Sequence, residues 1–165
     1  MTIKTAIFDL DGTLVRLPID YRALYAKFRR IMGIKNVKPI TETVAALDEP
    51  LRERVFEAWT KAEFTALSNM TIVKEGVKLY RHYSEVPKAL VTMQGQKTAE
   101  RILSVLDMSF HPVITREDSL DRATQITLAL EKLGSKPKNA IMIGDRETDK
   151  TAAERIGCKF RMVAT

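Results

Sequence analysis

The sequence predicts an α/β fold, a Rossmann-like doubly wound sheet of five parallel strands with a small all-helical insertion. Three observations support this fold class. Five short apolar runs, each bounded by glycine, proline or polar residues, have the length and composition of buried parallel strands. Amphipathic segments separate the later runs, so strand and helix alternate. The long stretch between the first two runs shows only helical periodicity.

The elements of the predicted sheet are short. The expected strands are residues 5–8, 88–92, 112–115, 140–144 and 159–163. The helices expected between and beside them are residues 75–84, 97–106, 123–133 and 149–156. Gly134 and Gly157 directly follow two of these helices, and glycine is the residue that most often ends a helix.

The insertion is predicted from two helical faces. Leu24 and Phe28 mark the first, and Val55 and Trp59 mark the second, while Pro50 suits the first turn of a helix. We therefore expect two parts, a core of residues 1–16 and 73–165 and a helical cap of residues 17–72.

Composition restricts the class of protein. The chain has 165 residues, 45% of them hydrophobic, which is enough for one compact domain with a real core. The single cysteine, Cys158, excludes an intrachain disulfide framework. No apolar run approaches the roughly 18 residues of a membrane span, and Asp9 and Asp11 interrupt the apolar N-terminal stretch. These features predict a cytoplasmic protein without a membrane partner.

The charge balance favours anionic partners. Lys and Arg number 27 against 21 Asp and Glu, for a net charge of +6. Such a balance suits phosphorylated metabolites, nucleic acid or acidic surfaces, and by itself it does not choose among them. The basic residues are scattered along the chain without one dense run.

Polar side chains follow each of the first four predicted strands. In strand order these segments are residues 9–15 (DLDGTLV), 92–95 (TMQG), 116–122 (REDSLDR) and 144–149 (GDRETD). Ligands of open parallel sheets bind beyond the carboxyl ends of the strands. We therefore expect these four segments to meet at one edge of the sheet.

The four segments, in this order, resemble the four motifs of the haloacid dehalogenase (HAD) superfamily, most of whose members are phosphatases. The helical insertion resembles the small cap of the phosphoglycolate phosphatase-like subgroup. The resemblance implies a HAD-like fold and Mg²⁺-dependent hydrolysis of a small phosphorylated metabolite. The third segment departs from the pattern, because it lacks the prolines that often accompany the motif's cation, here Arg122 or its rival Arg116.

The resemblance also implies catalytic roles. Asp9 would attack phosphorus and form an aspartyl-phosphate. Asp11 would protonate the leaving oxygen and later activate water. Thr92 and nearby backbone N–H groups would hold the phosphoryl oxygens, with Arg122 as the fixed cation.

Metal and substrate contacts follow from the same resemblance. Mg²⁺ would be held by Asp9, the backbone carbonyl of Asp11 and Asp145, with Asp149 in support. The residues expected to contact substrate are Thr13, Met93, Gln94 and Arg16. Arg16, with Arg22 and Lys27, is the candidate for binding a second anionic group of the substrate, and we expect the cap to gate the site.

Electrostatics independently calls for a cation. Two like charges near 4 Å repel by on the order of 4 kcal/mol at an effective dielectric of 20, and four aspartates are expected at this edge beside a phosphate dianion. Carboxylate oxygens and a phosphate favour Mg²⁺ over zinc.

Two alternatives remain. A phosphomutase of the β-phosphoglucomutase type would use the same nucleophile but shield the aspartyl-phosphate from water. A non-catalytic phosphate- or nucleic-acid-binding protein on this fold would account for the basic pI. The complete set of aspartates argues against pure binding, because binding needs neither a nucleophile nor a paired acid.

Overall fold

The computed structural model describes residues 2–164. In chain order its strands are β1 (Thr5–Phe8), β2 (Val15–Arg16), β3 (Thr71–Ile72), β4 (Lys88–Val91), β5 (Val113–Ile114), β6 (Ala140–Gly144) and β7 (Lys159–Met162). Its α-helices are α1 (Tyr21–Met32), α2 (Ile40–Ala45), α3 (Glu49–Ala66), α4 (Lys74–His82), α5 (Gln96–Leu106), α6 (Arg122–Leu133) and α7 (Glu147–Ile156). Short 3₁₀ turns follow α3 and precede β6.

The predicted five-stranded parallel sheet is confirmed. Its strand order is β5-β4-β1-β6-β7, and every pair is parallel. The central strand β1 pairs with β4 and β6, with Phe8 opposite Leu90 and Ile143. This register brings the carboxyl ends of three strands side by side, so the residue after β1 lies at the middle of the sheet edge.

Alternate residues of β1 belong to separate apolar clusters on the two faces of the sheet. Ala6 and Phe8 belong to the larger cluster, which includes residues of the helical segment. Ile7 belongs to the smaller cluster with Ile126 of α6. Because successive side chains of a strand point to opposite faces, a strand buried on both faces is mostly apolar, as Ala6, Ile7 and Phe8 of β1 are.

A two-stranded ribbon joins the ends of the helical segment. No strand is predicted between the first two apolar runs of the sheet, and this prediction is wrong. Val15 of β2 pairs with Ile72 of β3, and Arg16 pairs with Thr71, antiparallel. Strands of two residues are too short to show any periodicity, so the pairing of distant segments is what creates them.

The helical segment packs its predicted faces together. Leu24 and Phe28 of α1 and Val55 and Trp59 of α3 are buried in one cluster, and the rings of Phe28 and Trp59 lie 5.6 Å apart, edge to face. The short helix α2 was not expected, since six residues give little periodicity. No helix within residues 2–164 is long and apolar enough to cross a membrane.

Candidate active site

The turn after β1 brings Asp9 against the end of β6. The Asp9 N–H donates to the carbonyl of Ile143 at 3.0 Å, which continues the parallel pairing by one residue. Gly12 follows in a left-handed conformation, with φ of 86°. A Cβ atom on Gly12 would collide with the carboxylate of Asp145. Glycine therefore allows the turn to approach the residue that follows β6.

Three carboxylates meet at this edge. One carboxylate oxygen from each of Asp9, Asp145 and Asp149 lies within 4.8 Å of the others. Asp9 and Asp149 are buried, at 4% and 2% exposure. Asp9 and Asp145 each follow a strand, whereas Asp149 lies in the first turn of α7, where its carboxylate accepts from the Arg146 N–H.

Arg122 bridges this group. Its Nη2 donates to Asp9 at 2.9 Å and its Nε donates to Asp149 at 3.0 Å. Its Nη1 donates to the amide oxygen of Gln125, one turn later, at 2.8 Å. Asp121 caps α6 by accepting from the Thr124 N–H at 3.0 Å, which makes Arg122 the first residue of that helix. Of the two candidate cations, Arg122 lies at the carboxylates.

The carboxylates need more positive charge than Arg122 provides. The pKa of Asp9 is raised to about 7, first by burial and then by the charges of Asp149 and Asp145, against the lowering effect of Arg122. The Oδ1 atom of Asp145 is buried and has no hydrogen-bond partner among the described residues. Oxygen ligands with an unpartnered buried acceptor among them fit a hard divalent cation such as Mg²⁺.

Asp11 lies beside this group and outside it. Its Oδ1 accepts from the Leu17 N–H at 2.9 Å, which fixes the carboxylate against the start of the helical segment. Burial raises the pKa of Asp11, with the Leu17 N–H and Arg146 acting in the opposite direction. A carboxyl group whose pKa is raised retains a proton more readily, as a general acid must. The metal contact expected from its backbone carbonyl stays a prediction.

The loop after β4 is held by its own side chains and by Gln125. The Thr92 hydroxyl donates to the amide oxygen of Gln94 and accepts from the Gln94 N–H. Gln125 donates to the carbonyl of Thr92 at 2.9 Å. Gln125 was not identified from the sequence, although it lies three residues after Arg122 and so on the same side of a helix. It connects Arg122 to the loop of Thr92.

A cleft of about 680 Å³ opens over the carboxylates. Residues of the core and of the helical segment both line it. The core side includes Asp9, Asp11, Met93, Gln94, Arg122, Arg146 and Asp149, and the helical side includes Tyr21, Tyr25, Ile40, Glu42 and Trp59. The predicted residues Met93 and Gln94 thus lie in the cleft beside the predicted catalytic groups.

Two of the residues expected to contact substrate lie elsewhere. Thr13 is fully buried within the turn after β1 and does not line the cleft. Arg16 is exposed on the ribbon strand β2, also away from the cleft lining. Besides Arg122, the cation that lines the cleft is Arg146, a residue of the GDRETD segment for which no role was predicted. Arg22 and Lys27 are exposed and do not line the cleft either.

A fully buried ion pair fastens the helical segment beside the cleft. Arg116, the rejected rival for the motif cation, donates from Nη1 to Glu63 of α3 at 2.7 Å, and both side chains have 0% exposure. Arg116 also donates to the Thr60 hydroxyl at 2.7 Å and lies over the ring of Trp59 at 4.5 Å. Glu63 was missed because a single glutamate on an amphipathic helix carries no signal of burial.

The same pair holds the loop after β4. Arg116 donates to the carbonyl of Met93 at 3.2 Å, and Glu63 accepts from the Gly95 N–H at 3.3 Å. Glu63 also accepts from the Thr98 hydroxyl at 2.8 Å. The loop after β4 and helix α3 are therefore joined through the Glu63–Arg116 ion pair.

The sequence matches a known family over nearly its whole length. Residues 6–163 match the family described as haloacid dehalogenase-like hydrolase. The chain is 23% identical to a phosphoglycolate phosphatase of Aquifex aeolicus, over 95% of this chain and 83% of the relative. It is 27% identical to the pyrophosphatase PpaX of Bacillus cereus, over 99% of this chain and 84% of the relative.

Solved structures share the fold. CbbY from Rhodobacter sphaeroides, solved in complex with phosphate, superposes with a TM-score of 0.72 at 15% identity, covering 96% of this chain and 85% of that one. A haloacid dehalogenase-like hydrolase from Streptococcus pneumoniae superposes with a TM-score of 0.68 at 20% identity, covering 96% and 83%. At these identities the likeness establishes the fold.

The buried Glu63–Arg116 ion pair predicts how substitution of Glu63 changes the free energy of unfolding. Glu63→Gln keeps the size of the side chain but leaves the Arg116 cation buried without its counter-charge, which we expect to lower the free energy of unfolding by about 3–5 kcal/mol. Urea denaturation followed by fluorescence of Trp59, the single tryptophan, measures this. Glu75→Gln is the matched control, because it removes an exposed ion pair with Arg161, expected to contribute at most about 1 kcal/mol. Equal losses in the two variants would contradict the prediction.

Proposed function

The chain belongs to the haloacid dehalogenase-like hydrolase family, and from that premise we propose that it is a Mg²⁺-dependent phosphatase that hydrolyses a small phosphomonoester through an aspartyl-phosphate on Asp9. One observation carries the proposal: Asp9 lies within the carboxylate group, bonded to Arg122, at the floor of a cleft that Asp11 also lines. The names of the relatives, a phosphoglycolate phosphatase and a pyrophosphatase, agree with phosphoryl chemistry.

In the first step a carboxylate oxygen of Asp9 attacks phosphorus. The new O–P bond forms as the bond from phosphorus to the ester oxygen breaks, and Asp11 transfers its proton to the leaving oxygen. The raised pKa of Asp11 supports this assignment, because the group must carry the proton at the start.

In the second step Asp11, now a carboxylate, removes a proton from water. The water oxygen attacks the phosphorus of the aspartyl-phosphate, the O–P bond to Asp9 breaks, and inorganic phosphate leaves. Both groups return to their starting protonation states, so the cycle balances.

Arg122 and the loop of Thr92 would stabilise the charge on the transferring phosphoryl group. Arg122 orients Asp9 directly, and its bond to Gln125 keeps the guanidinium in place. Hydrogen-bond donors fixed before the reaction stabilise developing charge without reorganising. The bonds of Gln125 and Arg116 to the loop supply that rigidity.

Asp9, Asp145 and Asp149 would hold the metal, together with the backbone carbonyl of Asp11. Bound Mg²⁺ would supply positive charge that offsets the buried carboxylates and the phosphate. The unpartnered Oδ1 atom of Asp145 supports this assignment.

We propose that residues 17–72 form a cap on a core of residues 1–16 and 73–165. Tyr21, Tyr25 and Trp59 contribute to the cleft from this segment, so it would choose among substrates and exclude water from the reacting groups. The Glu63–Arg116 pair would limit how far the cap can open, since separating it exposes two buried charges.

Asp9→Asn should reduce turnover at least roughly 10⁴-fold, because the amide cannot attack phosphorus. Phosphate release from a panel of phosphomonoesters measures this, and circular dichroism confirms that the variant is folded. Release of free phosphate by the unsubstituted protein, rather than isomerised sugar phosphate, separates a phosphatase from a phosphomutase. Near-normal turnover by the variant would exclude Asp9 as the nucleophile.

Chelation should abolish turnover, and Mg²⁺ should restore it. Mg²⁺ should also raise the melting temperature, because it binds only the folded protein. At one hundred times its dissociation constant, this binding adds about 2.7 kcal/mol to the free energy of unfolding. Asp145→Ala should remove most of this thermal shift, whereas the exposed control Glu85→Gln should retain it. Full activity in excess chelator would contradict the metal assignment.

Arg122→Ala should lower kcat about 10²–10³-fold, the usual effect of removing one fixed donor to the transition state. Arg122→Lys should recover only part of the loss, because an ammonium cannot span Asp9, Asp149 and Gln125 together. Steady-state kinetics on one substrate measures both, with the exposed Arg101→Ala as control. Unchanged kcat in Arg122→Ala would remove this residue from the mechanism.

A further inference from the structure

The cleft is lined by two cations with different environments. Arg122 donates hydrogen bonds to Asp9, Asp149 and Gln125. Arg146 also lines the cleft, is exposed, and its guanidinium makes no hydrogen bond or ion pair with any residue in the range 2–164. A guanidinium has five N–H donors in a fixed plane, so Arg146 has donors available for an anion in the cleft.

The charge of Arg146 lies close to the reacting groups. Arg146 directly follows Asp145 in the chain and is the N-cap residue of α7. Its backbone N–H donates to the carboxylate of Asp149 at 3.3 Å. The chain therefore places this cation next to the carboxylates.

Two tyrosines of the helical segment line the cleft together with Arg146. Tyr21 and Tyr25 of α1 line the same cleft, with ring centroids 5.7 Å apart, and no hydrogen bond from either hydroxyl is found among the described residues. Burial raises the pKa of Tyr21 to about 12, so its phenol stays a neutral donor. Together the three side chains offer one cation and two O–H donors.

The charges that line the cleft suggest what Arg146 could bind. A divalent cation and Arg122 would balance the three carboxylates of the metal group. Glu42 also lines the cleft and would repel any further anion brought in by a substrate. Arg146 is the cleft-lining cation, within the described residues, that remains to offset this charge.

We propose that Arg146, with Tyr21 and Tyr25, forms a subsite for a second anionic group of the substrate, a carboxylate or a phosphate two or three bonds from the transferring phosphorus. This inference rests on the proposed phosphatase function and adds the substrate class. It replaces the expectation that Arg16, Arg22 or Lys27 would bind such a group, since those side chains lie outside the cleft lining.

The kinetic test compares three substrates: 2-phosphoglycolate, which carries a carboxylate, pyrophosphate, which carries a second phosphate, and ethyl phosphate, which carries neither. The measured quantity is the ratio of kcat/KM for each two-anion substrate to kcat/KM for ethyl phosphate. Arg146→Gln should lower at least one ratio 10-fold or more, and Arg146→Lys should recover part of it. The ratio that falls further identifies the second group as carboxylate or phosphate.

Two controls make the kinetic result decisive. Arg16→Gln should leave both ratios unchanged, and a 10-fold fall there would move the subsite to β2 and overturn the proposal. Equal losses on all three substrates in Arg146→Gln would also overturn it, because Arg146 would then act on the phosphoryl group itself. Tyr25→Phe should lower the same ratio as Arg146→Gln, by about 2- to 5-fold for one lost hydrogen bond.

A binding test separates failure of this proposal from failure of the phosphatase function. Asp9→Asn serves as the background because it should bind without turnover. Calorimetric titration with 2-phosphoglycolate, pyrophosphate and ethyl phosphate in Mg²⁺ should show that adding Arg146→Gln weakens binding of a two-anion ligand at least 10-fold more than that of ethyl phosphate. This outcome supports the subsite even if no substrate is hydrolysed, whereas equal or absent weakening overturns it.

Discussion

Three carboxylates at one sheet edge impose the constraint on which the site depends. Asp9 and Asp149 are buried and share an edge with Asp145, an arrangement that like-charge repulsion and desolvation both oppose. Burial and the neighbouring carboxylates raise the pKa of Asp9 to about 7. Arg122 offsets part of this negative charge, and its position is fixed by the N-cap residue Asp121 and by Gln125. A divalent cation would complete the balance.

A second charged node connects the helical segment to the site. Glu63 and Arg116 are buried together, and between them they bond to α3, to α5 and to the loop after β4. The loop after β4, which lines the cleft with Met93 and Gln94, is thus held from the side of the helical segment as well as from Gln125. The helical segment therefore fixes the position of this loop and also forms part of the cleft wall.

The positions of site residues could be predicted from the sequence where a residue directly follows a strand. They could not be predicted where side chains from distant segments meet. The positions of Asp9, Asp145 and Thr92 follow from strand ends, because parallel strands align their carboxyl ends. Arg16 and Thr13 were expected near substrate from the family resemblance. Arg16 instead lies exposed on the ribbon, and Thr13 is buried in the turn after β1.

The sequence by itself determined the five-stranded parallel sheet and its family, because buried strands need uninterrupted apolar runs and the residues after them carry the family's motifs. Only the tertiary structure decided which arginine meets Asp9, since Arg116 and Arg122 both follow β5 and differ only in what each reaches. It alone paired Glu63 with Arg116, formed the ribbon of β2 and β3, and placed Arg146 in the lining of the cleft. These features arise between segments far apart in the chain, where no local pattern of residues records the contact.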